Sequence, residues 1–276
     1  MTSKLSFLEL REGEVKVITP DGEVSVKTCR ELVKLFVKHG ILGFTDVFKA
    51  LAKILTLDSE CLRFLRKKLG DKHALTNIAE LLSDKAEHAL KEIVGSEEKT
   101  FREIGDILKG YEGNVIIHGV SNSIVLEELV KSKCKIYIPE FRPYLAQAKL
   151  VAKALADNGA KVIVVTDNMV GYLMWKGDVK LMVTEGISFG DKLVGRTGTL
   201  TYAIASYYSK VPAYSISYNT IQGIYASNMG VPLEESNDVK YLSGELITHE
   251  KARTLYAHYD IVPLRYFKRN IFIRVV

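Results

Sequence analysis

Hydrophobic and polar positions follow one pattern before about residue 110 and another after it. Residues 4–27 alternate: LSFLEL, EVKVIT and EVSVK are short runs broken by Glu12–Gly13 and by Pro20-Asp21-Gly22. That spacing predicts three short strands joined by turns. From 28 to 109 the apolar positions recur at helical spacing. Thr28 stands at a cap position ahead of CRELVKLFVKH, in which Leu32, Val33, Leu35, Phe36 and Val37 form one broad apolar face. FTDVFKALAKIL and TNIAELLSDKAEHALKEIV keep the same period, with glycines at 40, 43, 70 and 95 between the segments.

From residue 114 short apolar runs take over: NVIIHG, KIYIPE, KVIVVTD, KLMVTEG and AYSISY. Helical stretches are expected between them at 122–132, 144–158 and 199–209. Strands alternating with helices at this spacing mean βαβ units and a parallel sheet covered on both faces. The expected fold is therefore α/β. A Rossmann-like parallel-sheet domain spans 111–276, preceded by a smaller, mostly helical domain over 1–110 that begins with a short β segment. Ligands of such sheets sit beyond the carboxyl ends of the strands. That rule selects His118–Ser123, Glu140–Pro143, Thr166–Gly171, Thr184–Ser188 and Gly195–Thr199.

Composition narrows the class. Apolar residues make up 47% and charged residues 26% of the 276, as in ordinary globular proteins. Apolar runs such as Val162–Val165 are too short to span a bilayer, and MTSKLSFLEL lacks a secretory core and cleavage site. A cytoplasmic protein with no membrane partner is expected. The net charge of +5 suits phosphorylated ligands. Arg63, Arg66, Lys67 and Lys68 sit at helical spacing among Leu62, Phe64, Leu65 and Leu69, so they read as a solvated helix face and no nucleic-acid partner is expected. Three widely spaced cysteines, Cys29, Cys61 and Cys134, argue against a disulfide framework and against a zinc site, and Cys134 reads as a small buried apolar residue. No cofactor or metal is expected: the chain shows no GxGxxG after a strand, no P-loop and no Ser-His-Asp order.

Two strand-to-helix turns have the makings of anion sites. Gly195-Arg196-Thr197-Gly198-Thr199 precedes TLTYAIASYY, and His118-Gly119-Val120-Ser121-Asn122-Ser123 precedes the helix at 122–132. A helix N-terminus offers unpaired N–H groups and partial positive charge. Arg196 adds a fork of donors, and Thr197, Gly198 and Thr199 add hydroxyls and close backbone approach. Ser121 and Ser123 are candidate caps for the following helix. A capped turn without a ligand explains the first segment equally well, and it is the favoured reading of the second on that stretch alone. His118 reads either as an acid or base or as a histidine simply hydrogen-bonded at a strand end.

With these residues in place a family becomes recognisable. The stretch PEFRPYLAQAKLVAKALADNGAKVIVVTDNMVGYLMWKGDVKLMV resembles methylthioribose-1-phosphate isomerases through Glu140, Arg142-Pro143, Gln147, Thr166-Asp167-Asn168-Met169 and Gly171. Leu173-Met174, Gly198-Thr199, Asp260 and Pro263 continue the match, with Val262 where the family has threonine. The N-terminal strands, the helix from Cys29, His39–Gly40 and Asn77 are similar more weakly. The same superfamily includes ribose-1,5-bisphosphate isomerases and the α, β and δ subunits of initiation factor 2B. His118-Gly-Val-Ser121 with Val125-Leu126-Glu127 looks more like the initiation-factor form of its loop.

The resemblance implies two catalytic groups, a cysteine after that histidine and an aspartate after the fourth strand, which together move a proton between adjacent carbons of a sugar phosphate. Here the cysteine position is Gly119, and the aspartate falls on Gly186 or Ile187. Asp191 and Glu185 are the nearby carboxylates, Asp191 being the weak catalytic candidate. His39-Gly40-Ile41-Leu42, Lys72-His73-Ala74 and Gly195-Arg196 also depart from the isomerase motifs. The expected function is a non-catalytic regulatory or binding protein similar to the initiation-factor subunits. Its expected ligand is a phosphate-bearing small molecule or nucleotide, held by His118, Ser121, Ser123, Arg142, Arg196, Thr197, Gly198 and Thr199. By the same resemblance it forms a homodimer and partners a translation initiation factor. Tyr202, Tyr207, Tyr208, Tyr214 and Tyr218 are the candidate interface aromatics. The alternative is a divergent aldose–ketose isomerase with relocated catalytic groups.

Overall fold

The computed structural model describes residues 5–11, 14–39, 111–220 and 233–275, with a few residues between 50 and 108. Three strands open the chain: β1 (Leu8–Arg11), β2 (Glu14–Thr19) and β3 (Gly22–Val26), an antiparallel meander in chain order. Helix α1 (Cys29–His39) starts from a reciprocal cap. Thr28 Oγ1 accepts from the Glu31 N–H at 3.3 Å, and Glu31 Oε2 accepts from the Thr28 N–H at 3.2 Å. This Thr-x-x-Glu arrangement satisfies end groups that would otherwise lack partners. The two later helical runs expected in this half, and the Asn77 and Lys72–Ala74 positions, lie outside the described residues.

The second half builds an eight-stranded sheet. Its strands are β4 (Asn114–His118), β5 (Lys135–Pro139), β6 (Lys161–Val165), β7 (Leu181–Phe189), β8 (Lys192–Arg196) and β9 (Ala213–Thr220), and later β14 and β15. Helix α2 (Ser123–Lys131) follows β4. After β5 a π-helical stretch over Gln147–Ala152 leads into α3 (Lys153–Asp157). Helix α4 (Val170–Lys176) follows β6, and α5 (Thr199–Tyr208) follows β8. Short pairs β10 (Glu234–Glu235), β11 (Tyr241–Leu242), β12 (Glu245–Leu246) and β13 (Leu255–Tyr256) precede β14 (Tyr259–Pro263) and β15 (Arg269–Val275).

Strand residues alternate between two cores, as a period of two requires. Val115, Ile117, Ile136, Ile138, Leu181 and Val183 pack with Val125, Leu126 and Leu129 of α2 and with Val151 and Leu155. Ile116, Met182 and Leu193 face the other way, onto Val170, Leu173, Met174, Tyr202 and Ala203 of α4 and α5. The first core also contains Val15, Val17, Val26 and Leu32, so one buried cluster crosses the expected boundary at residue 110. Among the described residues no helix is long and apolar enough to cross a membrane.

The parallel strands run β6-β5-β4-β7-β9-β15. The chain steps outward from β4 to β6, then returns to the far side of β4, so the topological switch point lies between β4 and β7. There the sheet departs from the purely parallel expectation. β4 pairs with β7 over Leu181–Thr184, and antiparallel β8 takes the same flank of β7 over Gly186–Phe189. β14 pairs antiparallel with β8. The β8–β14 ribbon thus stands above the end of β4 and divides the sheet like a fork. Cys29 corrects a second expectation: it is disulfide-bonded, to a partner outside the described residues, whereas Cys134 is free and buried as expected.

Candidate functional site

The fork gathers the residues selected from the sequence. His118 ends β4 with 1% of its surface exposed. Its ring lies 4.6 Å from Tyr202, edge-on, and 5.4 Å from Phe141. His118 Nε2 is 3.1 Å from the Thr197 carbonyl, which can only accept, so Nε2 carries the proton. Nδ1 is then a buried acceptor with no hydrogen-bond partner among the described residues. Burial, the largest influence, pushes the imidazole down to about 4, against the opposing pull of Asp167. It is therefore neutral near pH 7. Gly198, at φ +102°, permits this packing, because a Cβ there would lie 3.2 Å from the imidazole.

Two carboxylates reach the turns expected to hold an anion, and a third reaches the segment after β5. Glu185, 2% exposed, accepts from the N–H groups of Ser121 (3.1 Å) and Asn122 (3.2 Å). Asp260 on β14 accepts from Gly198 (2.7 Å) and Leu200 (3.0 Å) at the start of α5. Asp167 accepts from Phe141 (2.9 Å) and Arg142 (2.8 Å) after β5, and Tyr202 donates its hydroxyl to the Asp167 carbonyl at 3.1 Å. These are the backbone donors that strand-to-helix turns otherwise present to anions. Here side chains of the chain itself supply the negative charge. Burial raises the Asp260 carboxyl even though both backbone N–H groups pull it down. Burial likewise raises Glu140, reinforced by Asp167.

The other predicted residues separate into groups. Arg196 is buried at the fork, its guanidinium 4.8 Å from the centre of the Tyr259 ring. Thr199 donates its hydroxyl to the Arg196 carbonyl at 2.6 Å, the Thr197 hydroxyl donates to the Ala257 carbonyl, and the Thr197 N–H donates to the His258 carbonyl at 3.3 Å. These groups hold the β8–α5 turn against the segment before β14. The cap of α2 is Asn122, whose Oδ1 accepts from Ile124 and Val125, and not Ser121 or Ser123. Arg142 is engaged elsewhere in the chain: its guanidinium donates to the carbonyls of Val239 (3.4 Å) and Tyr241 (3.5 Å).

Asp191 is exposed in the β7–β8 turn, five residues beyond Gly186. Three of those residues run along β7, roughly 10 Å at strand rise, and Asp191 lies beyond them in the turn, away from the fork. Gln147 belongs to the stretch that carries the family resemblance. It is fully buried, donates to the Val120 carbonyl at 3.3 Å, and leaves its Oε1 without a partner among the described residues. The paired contacts of Glu185, Asp167 and Asp260 had no signal in sequence spacing.

Comparison with known proteins agrees with this architecture. The 5-methylthioribose 1-phosphate isomerase of Pyrococcus horikoshii OT3 superposes with a TM-score of 0.67 at 17% identity, covering 98% of this chain and 93% of that one. The translation initiation factor eIF-2B subunit delta of A. fulgidus gives 0.66 at 18% identity, covering 96% and 94%. Both likenesses concern the fold. In sequence, the methylthioribose-1-phosphate isomerase of Pelotomaculum thermopropionicum is 30% identical over 138 residues, 48% of this chain and 38% of that protein. The Caldicellulosiruptor saccharolyticus enzyme of the same name is 26% identical over 152 residues, 53% of this chain and 44% of that protein. The chain thus spans less than half the length of these relatives. The model of the Initiation factor 2 subunit family matches residues 48–271, most of the chain. The chain belongs to the Initiation factor 2 subunit family.

Proposed function

We propose that this chain is a non-catalytic, regulatory or binding member of its family, acting in the cytoplasm through association with protein subunits. The observation that carries the proposal is steric. Gly119, at the position the resemblance gives to the catalytic cysteine, has φ +66°, and a Cβ there would lie 3.1 Å from Arg196 Cγ. At Gly186 a Cβ would lie 2.5 Å from the Val194 carbonyl oxygen. If the aspartate position is Ile187, that side chain is core, 1% exposed. A side chain at Gly119 would sit in strained left-handed backbone and press on Arg196, and one at Gly186 would strike the backbone of β8. A phosphate-bearing ligand keeps a narrower place in this reading. It would displace Glu185 or Asp260 from the turns they occupy, with Arg196 as counter-charge.

Steady-state assays with methylthioribose 1-phosphate and ribose 1,5-bisphosphate test the proposal. No ketose is expected, since loss of a positioned acid or base removes about 10²–10⁴ in rate. Robust turnover that Glu185→Gln or Asp191→Asn abolishes would overturn it.

A homodimer is part of the same proposal. The expected aromatic anchors need revising: Tyr202 is buried beside His118, Tyr214 is half-buried, and the Tyr218 side chain lies outside those described. Tyr207 and Tyr208 on α5 are exposed as expected, and Tyr172 and Trp175 on neighbouring α4 join them, with Trp175 76% and Tyr208 78% exposed. Large exposed aromatics favour contact surfaces. Light scattering at micromolar protein is expected to give about 62 kDa, twice the chain's 30.9 kDa. A mass near 31 kDa alone would refute the dimer.

A further inference from the structure

At the opposite end of the sheet from the fork lies a cleft of about 280 Å³. It opens where α5 ends and β9 begins, against the segment leading into β15. Tyr207, Lys210, Arg265, Tyr266 and Lys268 line its polar part, over a floor that includes Val211 and Phe267. No acidic side chain is among its lining residues. We propose that this cleft is a second binding site, for a nucleoside phosphate whose charge is met by Lys210, Arg265 and Lys268 and whose ring packs on Tyr207 and Tyr266. The inference does not depend on whether the fork holds a ligand.

Charge is the first argument. Lys210, Arg265 and Lys268 are exposed, and none has an ion pair or a side-chain hydrogen bond among the described residues. Their neighbour Arg269 is different, because Glu103 neutralises it. The end of α5 does not account for three cations. A helix C-terminus carries about half a negative charge, and the carbonyls of Ala205, Ser206 and Tyr207 are already engaged by the N–H groups of Ser209, Val211 and Lys210. Three cations with no ion pair among the described residues, held around one small concavity, match a di- or triphosphate-like charge, with charge-assisted hydrogen bonds as the means of recognition.

Aromatic geometry supplies the second argument. Tyr207 and Tyr266 meet edge to face with centroids 5.6 Å apart, and Arg265 sits 5.2 Å over the Tyr266 ring. Tyr207 is 56% exposed, so ring surface remains open. Exposed tyrosine beside cations is the combination that stacks a base while holding its phosphate. The volume of about 280 Å³ falls just below the roughly 300 Å³ at which enclosing ligand pockets start, so a bound nucleoside phosphate sits partly in solvent.

The test is calorimetric titration of the full chain with ADP, pyrophosphate and adenosine at low salt, on wild type and on Lys210→Ala/Arg265→Ala/Lys268→Ala. All three residues are exposed, and thermal melting of the unliganded proteins checks that the variant folds. ADP is expected to bind, pyrophosphate to bind several-fold more weakly, and the triple variant to lose at least tenfold in ADP affinity. Photocrosslinking with 8-azido-ADP is expected to label a peptide containing Tyr207 or Tyr266. The proposal fails if ADP shows no binding at millimolar concentration, or if the triple variant binds it like wild type. It fails also if pyrophosphate binds as tightly as ADP, or if the label falls on the fork peptides instead.

Discussion

Replacing Gly186 by aspartate, the residue type the isomerases carry at about this place, is expected to destabilise the fold by about 3 kcal/mol or more and to produce no isomerase activity. Gly186 lies where β7 pairs with β8 opposite Gly195 and with β9 opposite Ser217. Its missing Cβ would stand 2.5 Å from the Val194 carbonyl oxygen and 2.8 Å from Leu193 Cδ1. The first neighbour is backbone and cannot rotate aside, so the strand pairing itself must open. An aspartate adds a carboxylate in a region where Ile187 and Val194 are buried. Urea denaturation of Gly186→Ala and Gly186→Asp separates the steric part from the charge. Wild-type stability in Gly186→Asp would show that the site has more room than this geometry allows.

Lowering the pH from 7 to 4.5 is expected to remove about 2 kcal/mol of stability through His118 alone. The folded imidazole is held down to about 4, against 6.5 in the unfolded chain. Between those values the unfolded state binds the proton and the folded state does not. The contribution is therefore complete above about pH 6.5 and lost as the pH falls towards 4. Asp260 and Glu140, both raised in the fold, act in the opposite sense at the acid end and offset part of the loss. Denaturant titrations at several pH values, on wild type and on His118→Gln, isolate the histidine. Glutamine places an amide donor near the Nε2 position, towards the Thr197 carbonyl, but does not titrate. Identical pH dependence in the two proteins would show that His118 is not the group responsible.

Sequence patterning carried the frame well because the buried parallel strands are nearly continuous apolar runs. NVIIH, KIYIP and KVIVV fall on β4, β5 and β6. It failed at β8, where KLVGR is short and contains the glycine that lets Thr199 approach. Reading that segment only as a turn left the sheet purely parallel and hid the ribbon that fills the switch point. Helix α4, VGYLMWK, is only seven residues long and was not among the expected helices.

The site was legible as a set of segments but not as a set of contacts. Glu185 meets Ser121 across 64 positions, and Asp260 meets Gly198 across 62, so no local motif could have announced that these turns carry their own anions. Arg142 looked like a phosphate ligand because arginine has that chemistry. Its actual partners, the carbonyls of Val239 and Tyr241, lie almost a hundred positions away. The basic cleft joins 206–213 to 265–268 for the same reason, through strand pairing of β9 with β15.

The proposed lack of catalysis rests on Gly119 and Gly186, where the resemblance puts the cysteine and the aspartate that move the proton. Deuterium uptake tests it more directly than product formation, because it registers proton abstraction even if the second half-reaction fails. Methylthioribose 1-phosphate and ribose 1,5-bisphosphate are incubated in D₂O with the protein in molar excess, and the carbon next to the carbonyl of the open-chain form is followed by proton NMR. The account predicts no exchange above that of a protein-free control, and no difference between wild type and Glu185→Gln. Exchange by wild type that Glu185→Gln abolishes would contradict it and identify Glu185 as a working base.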